Sequence, residues 1–389
     1  MSRWTNEFLD HLRSQGDSLA DESVAKMLQD GEIKHVTEIF KELDQNNDIP
    51  PKDIYPQLEA FFEVTNQLPE NVDHERIKRG EAVFIDYAFA GALALLTKSL
   101  PEGYQAPNLA NILHLSGNLE RHPYHRLLAV LQMLVNVNSS SGFEPGGKAI
   151  IDAQKLRLLH AGIRHICPQY LPDYREKYGE FINHEDMLGT IIAFSYLLLM
   201  GLRKMGYKIG KEKEEDYFYT WRVFAVMMGI HPPDKPHSFE YVPDSVEDAA
   251  QFYAMYQERH YVDAEQNPHG VSLAAANLAM LEDLVPWYLN IFGVKSLPRI
   301  YMEKLMGQKA CKNLALPLFA GGKIIENVLV RLPSVLHIVF SPLRFTRHIL
   351  FGNQHSLGMM LFQRMINVEF GHSVTFTVPE DLKAWIDMG

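Results

Sequence analysis

A ten-residue run near the middle of the chain, Lys155-Leu-Arg-Leu-Leu-His160-Ala-Gly-Ile-Arg164, places the tightest constraint on the fold. Read with a helical period, Leu156, Leu159 and Ile163 form an apolar stripe, and Arg157, His160 and Arg164 follow at i, i+3 and i+7 along a neighbouring one. One side of the helix then carries an imidazole between two guanidiniums. An imidazole is the usual protein ligand for heme iron, and a guanidinium is the usual partner of a carboxylate such as a heme propionate. A histidine beside leucines serves equally as a satisfied core histidine, and spacing alone leaves both readings open.

The totals narrow the class. A chain of 389 residues can bury a large core, and 47% hydrophobic with 22% charged residues reads as globular rather than disordered. A net charge of −11 and a pI near 5.9 argue against nucleic acid as a partner, because phosphate binding needs a concentrated basic surface. Cys167 and Cys311 stand far apart, so neither a disulfide framework nor a cysteine zinc site is indicated, and a reducing compartment is expected. The N-terminal residues Met1 to Asp10 are polar and amphipathic rather than an apolar leader. The longest apolar run, Ile191 to Leu202, is about a dozen residues, short of the ~20 that a spanning helix needs. No transmembrane segment and a cytoplasmic location are therefore expected, with peripheral membrane contact left open.

Helical periodicity dominates the chain. Residues 1–70 read as an N-terminal extension of short helices, in which Asp44 to Asp48 resembles the start of a calcium loop. Ile49 at its sixth position and Tyr55 at its twelfth, where Gly and Glu are needed, favour a helix-to-helix turn. From Arg76 to Leu100 a long helix is expected to present Ala82, Ile85, Phe89, Ala92, Leu93 and Leu96 as its apolar side. The small residues Ala88, Ala90, Gly91, Ala92 and Ala94 would let another helix, or a flat cofactor, come close. Asn183 is a good N-cap for a helix running to about Met205, with Thr190 and Phe194 on one face a turn apart. Further helices are expected at Val246 to Tyr261 and Leu273 to Phe292. Strand signals are confined to pieces such as Ser373 to Val378, so the expectation is an all-α, multi-helix globular bundle. Its core would span 71–295, with 296–389 a helical region packed on it.

Several stretches in register resemble one family, that of latex clearing protein (a rubber oxygenase) and the fungal oxygenase of mycophenolate biosynthesis. They are Arg157 to Arg164, Ile182-Asn-His-Glu-Asp-Met-Leu-Gly-Thr190 and Tyr219-Thr-Trp-Arg-Val223, joined upstream by Ser99-Leu-Pro-Glu-Gly-Tyr104 and Pro145-Gly-Gly147. The similarity covers roughly residues 75 to 275. The resemblance implies a pocket for b-type heme with His160 as proximal axial iron ligand. It implies O2 as co-substrate and an apolar, unsaturated, lipid- or isoprenoid-like substrate. Arg164, and less directly Arg157 and Arg222, are the propionate candidates, Arg222 pairing alternatively with Asp186; Thr190 is a further cofactor contact. Arg126, at family spacing before the axial histidine, is the candidate catalytic donor on the other side of the heme. Rubber oxygenases follow that arginine with Lys and Thr at the third and fourth positions, where this chain has Ala129 and Val130, and their proposed catalytic glutamate falls at Ala110. These departures put rubber cleavage itself in question without touching the heme ligand. A heme-binding sensor or carrier, or a heme-free helical scaffold, remain the alternatives.

Overall fold

The computed structural model describes residues 2–29, 58–115, 123–139, 141–285, 294–319 and 327–335. The calcium-like stretch at Asp44 to Asp48, the final turn of the expected Leu273 to Phe292 helix and the strand signal at Ser373 to Val378 lie outside them. Among the described residues there is no strand, and the all-α expectation holds.

Thirteen helices carry the argument: α1 (Asn6–Arg13), α2 (Ser18–Gln29), α3 (Glu59–Thr65), α4 (His74–Ala94), α5 (Pro107–Leu115), α6 (Pro123–Val137), α7 (Lys148–Ile166), α8 (His184–Phe194), α9 (Tyr196–Lys204), α10 (Lys211–Met227), α11 (Val246–His260), α12 (Pro268–Asp283) and α13 (Leu297–Met306). One continuous core draws on all three expected segments, with Trp4, Leu9 and Leu12 near the start, Trp221 and Phe224 in the middle, and Ile300, Leu305 and Val330 toward the end. A second cluster packs α2 and α3 on α7 through Val24, Met27, Phe61, Leu158 and Ile163.

Helix α4 differs from the periodicity reading. Its expected stripe is turned partly outward, with Ala82 exposed, Ile85 part-buried and Phe89 61% exposed, while Ile77, Phe84, Ala88 and Gly91 face inward. The cause is the contact with α10. A Cβ on Gly80 would lie 2.3 Å from Thr220 Oγ1 and 2.4 Å from the Asp216 carbonyl oxygen, so the two helices touch at the glycine and that contact sets the rotation of α4. Arg76 and Arg79 close it, donating to Asp216 at 3.0 and 2.6 Å. The small residues of the Ala88–Ala94 region serve helix packing: a Cβ on Gly201 of α9 would meet the Ala94 methyl at 2.6 Å.

Two expected boundaries shift as well. The helix drawn from Asn183 to Met205 breaks at Ser195 (φ −105°, ψ −85°). There the Ile191 carbonyl accepts both the Ser195 amide at 3.0 Å and the Ser195 hydroxyl at 2.8 Å, and the Tyr217 hydroxyl donates to the Phe194 carbonyl at 2.8 Å. Helix α12 begins at Pro268, capped by the Asn267 side chain, rather than at Leu273. By length and composition alone, His74–Gly103 and His184–Lys204 are apolar enough to cross a membrane, longer than the run read from sequence; 61% and 78% of their apolar windows are buried inside the protein.

Candidate functional site

Helix α7 is buried along almost its whole length, from Ala149 to Arg164, which explains why its apolar residues point to two clusters at once. His160 is part-buried on it. Arg157, 2% exposed, donates through Nε and Nη2 to the two oxygens of Asp17 at 2.6 and 2.9 Å, and through Nη1 to the Met227 carbonyl at 3.3 Å. Burial pushes the Asp17 carboxyl up, but the charge and hydrogen bonds of Arg157, helped by Arg164, win and hold it below the ordinary carboxylate value. A Cβ at Gly229 (φ +84°) would sit 2.9 Å from Asp17 Oδ2 and 3.1 Å from Arg157 Nε, so this ion pair needs a glycine beside it.

One turn beyond His160, Arg164 donates through Nε to Asp21 at 2.7 Å and through Nη1 to the Ile182 carbonyl at 3.3 Å. Its Nη2 is buried and has no hydrogen-bond partner among the described residues. Ile182 stands at φ +49°, an outlier for a β-branched residue, immediately before the Asn183 cap that accepts from the Asp186 amide at 2.9 Å. A strained residue, a guanidinium with a spare donor and the His160 helix thus meet at one place. His160 would offer an imidazole to a heme iron, and Arg164 a buried N–H group to a propionate. By residue type, His160 and Arg164 suit a heme's iron and a propionate.

A cavity of about 140 Å³ lies between α5, α6, α8, α11 and α12. Leu109 and Leu113 form one wall, Leu127 and Val130 the next, and Thr190 with Phe194 a third. Thr190 therefore reaches the cavity, although its hydroxyl is used inside its own helix, donating to the Asp186 carbonyl at 3.0 Å. Val130 lines it in place of the family's threonine, and Ala129 and Ala110 are buried, so these departures from rubber oxygenases leave apolar surface. Arg126 belongs to α6, one turn before Val130; its side chain lies outside the described residues. His160, Arg157 and Arg164 are not among the residues lining this cavity. Arg222 is elsewhere: it donates to Asp244 at 2.9 Å and lies over the Phe239 ring at 5.0 Å, so the alternative pairing with Asp186 is corrected.

Asp186 instead sits at the centre of a buried polar group. It accepts from Asn108, from Asn183 at 3.0 Å and from the Tyr256 hydroxyl at 3.2 Å, while burial pushes its carboxyl up to about 6. Glu102, also buried, accepts from Lys98 and, at 2.5 Å, from Tyr253. Sequence reasoning missed these tyrosines, although Tyr253 and Tyr256 at i, i+3 followed by Tyr261 were a visible signal on one face of α11.

Comparison with known proteins identifies the family and the fold. The profile of the family described as "ER-bound oxygenase mpaB/B'/Rubber oxygenase, catalytic domain" matches residues 82–324. The rubber oxygenase of Streptomyces sp. (strain K30) is 22% identical over 279 residues, a match spanning 69% of this chain and 64% of that relative. A solved structure of latex clearing protein in the closed state superposes with a TM-score of 0.68 at 16% identity, covering 96% of this chain and 90% of the other, a likeness of fold. With α6, α7, α8 and α11 all inside the matched region, the chain belongs to the catalytic-domain family of the mpaB/B' and rubber oxygenases.

Proposed function

We propose that the protein is a heme b-dependent oxygenase that uses O2 to oxidise an apolar, unsaturated substrate of lipid or isoprenoid type. The observation that carries this reading is the His160–Arg164 turn of α7, which pairs an imidazole with a buried guanidinium nitrogen that has no partner among the described residues. His160 would hold the iron and Arg164 a propionate. Arg157, committed to Asp17, and Arg222, committed to Asp244, are secondary candidates that would have to share their carboxylates. When bound, a heme with one imidazole ligand supplies an open iron position for O2.

The chain's own contribution follows from its walls and charges. Leu113, Leu127, Val130 and Phe194 exclude water and hold an alkene by apolar contact, and Thr190 shapes the same wall. Arg126, at the start of α6, would stabilise negative charge that develops during oxidation. The reading puts the enzyme in the cytoplasm, in peripheral contact with membranes where apolar substrates collect.

A second reading, a heme-binding sensor or carrier without turnover, is favoured by the apolar Ala129–Val130 pair, which removes the polar groups that follow the arginine in rubber oxygenases. Expression with adequate iron supply, acid–organic extraction of the cofactor and oxygen uptake across isoprenoids and unsaturated fatty acids separate the two. His160→Ala should lose the Soret band while keeping its helical circular dichroism. Wild-type heme content in that variant would sink the axial assignment, and a heme-loaded protein inert to the whole panel would favour the carrier.

A further inference from the structure

The cavity lining is not wholly apolar. Ser99, Tyr256 and Tyr261 all line it, the two tyrosine rings 6.3 Å apart. Ser99 closes a π-helical stretch, Leu95–Ser99, in which the Leu100 amide donates to the Leu95 carbonyl. Such local π segments re-aim side chains and recur at functional sites. The Ser99 hydroxyl is fully buried and has no hydrogen-bond partner among the described residues, which is costly for a hydroxyl unless something else occupies the space beside it.

The direction of the neighbouring hydrogen bonds can be worked out from proton counts. Tyr253 has one hydroxyl proton and donates it to Glu102 Oε1 at 2.5 Å. In the 3.3 Å contact between Tyr253 and Tyr261, Tyr261 is therefore the donor, and the Gln257 amide donates to Tyr253 as well at 3.0 Å. Tyr256 likewise donates its proton to Asp186 at 3.2 Å. Both cavity tyrosines thus commit their protons inward; the Tyr256 oxygen is already engaged by Asn108, which leaves the Tyr261 oxygen as the acceptor facing the cavity. Burial pushes all three phenols above their ordinary value, so they remain protonated, Tyr253 and Tyr256 as donors to carboxylates and Tyr261 as donor to the Tyr253 oxygen. Tyr261 is part-accessible, whereas Tyr253 behind it is buried.

The lining therefore offers an acceptor at the Tyr261 oxygen and an unused hydroxyl at Ser99. A carbonyl could use only the second, and a pure hydrocarbon neither. An alcohol uses both. We propose that the cavity takes a chain-like apolar ligand bearing a hydroxyl group, which donates to the Tyr261 oxygen and accepts from Ser99. The proposal rests on the reading of this cavity as the substrate site, and it makes Ser99 and Tyr261 specificity-determining residues.

Equilibrium dialysis of the full-length protein against octan-1-ol, octanal, 1-methoxyoctane and 1-octene, read by gas chromatography, tests it. The alcohol should bind about five- to tenfold more tightly than the ether and the aldehyde, the size of one net hydrogen bond. The double variant Ser99→Ala/Tyr261→Phe should lose that preference while binding 1-octene as the wild type does. Equal affinity for alcohol, ether and aldehyde in the wild type, or no binding of any of them, overturns the proposal without needing a variant that folds. The outcome is separable from the oxygenase reading. A heme-free, inert protein that still prefers the alcohol sinks only the oxygenase, and a turning-over enzyme with no alcohol preference sinks only this inference.

Discussion

Arg157 and Asp17 form a two-pronged ion pair across 140 residues of sequence, with both partners under a tenth exposed. A buried pair of this kind leaves a stranded charge when one partner is removed. We predict that Asp17→Asn lowers stability by roughly 3–5 kcal/mol, the range for stranding one partner of a buried pair. Urea unfolding midpoints at pH 7 check this. Because the Asp17 carboxyl is held below its ordinary value, its contribution is complete above about pH 3.8 and disappears as pH falls through the lowered value. An Asp17→Asn variant as stable as wild type would mean that the pair is dispensable.

Arg164 carries a different expectation, which rests on the proposed cofactor. Arg164→Leu should speed heme loss about ten- to a hundredfold, through a lost charge-assisted hydrogen bond of roughly 1.5–3 kcal/mol. Asp21→Asn removes the partner but leaves the guanidinium, and should retain heme. Transfer of heme to excess apo-globin, followed by absorbance, measures both. Equal dissociation rates for wild type and Arg164→Leu would remove this residue from the cofactor site.

Glu81 gives a pH signature independent of any ligand. It is buried on α4, 4% exposed, and loss of hydration pushes its carboxyl from 4.5 up to about 8. The folded state therefore holds a proton that the unfolded chain has released, and this group costs stability as pH rises between about 4.5 and 8. The limiting slope is roughly 1.4 kcal/mol per pH unit. Glu81→Gln should match the wild type near pH 4.5 and melt at a higher temperature at pH 8. Parallel melting curves at the two pH values would contradict the buried, neutral carboxyl.

Arg126 is tested through turnover. We predict that Arg126→Ala keeps near-normal heme content while oxygen consumption falls by about 10²–10³-fold, the scale for losing one donor to developing charge. Equal turnover in both proteins would take Arg126 out of the mechanism.

The sequence made the local features legible and left the pairings hidden. Asn183 caps its helix as expected, and Thr190 and Phe194 share the cavity wall, because caps and helical faces depend on neighbours a few residues away. The facing of α4 was misread because Gly80, not the apolar stripe, decides the rotation against α10. Asp17 as the partner of Arg157, and Asp244 as that of Arg222, depend on tertiary approach, to which periodicity is blind. The tyrosines of α11 were overlooked for the same reason: two phenols a turn apart look like ordinary packing until Glu102 and Asp186 arrive from other helices.

Trp4 sits in the core with its indole N–H on Asp248 at 2.7 Å and its ring 5.0 Å from that of Phe252, partners that lie 244 and more positions later in the chain. On a ribosome adding about 5–20 residues per second, the first helix waits roughly 10–50 s before its docking surface exists. Throughout that interval Trp4, Leu9 and Leu12 are exposed to other nascent chains and to chaperones. These residues are made long before their partners and dock late, so their shielding during synthesis bears on how the protein reaches its fold.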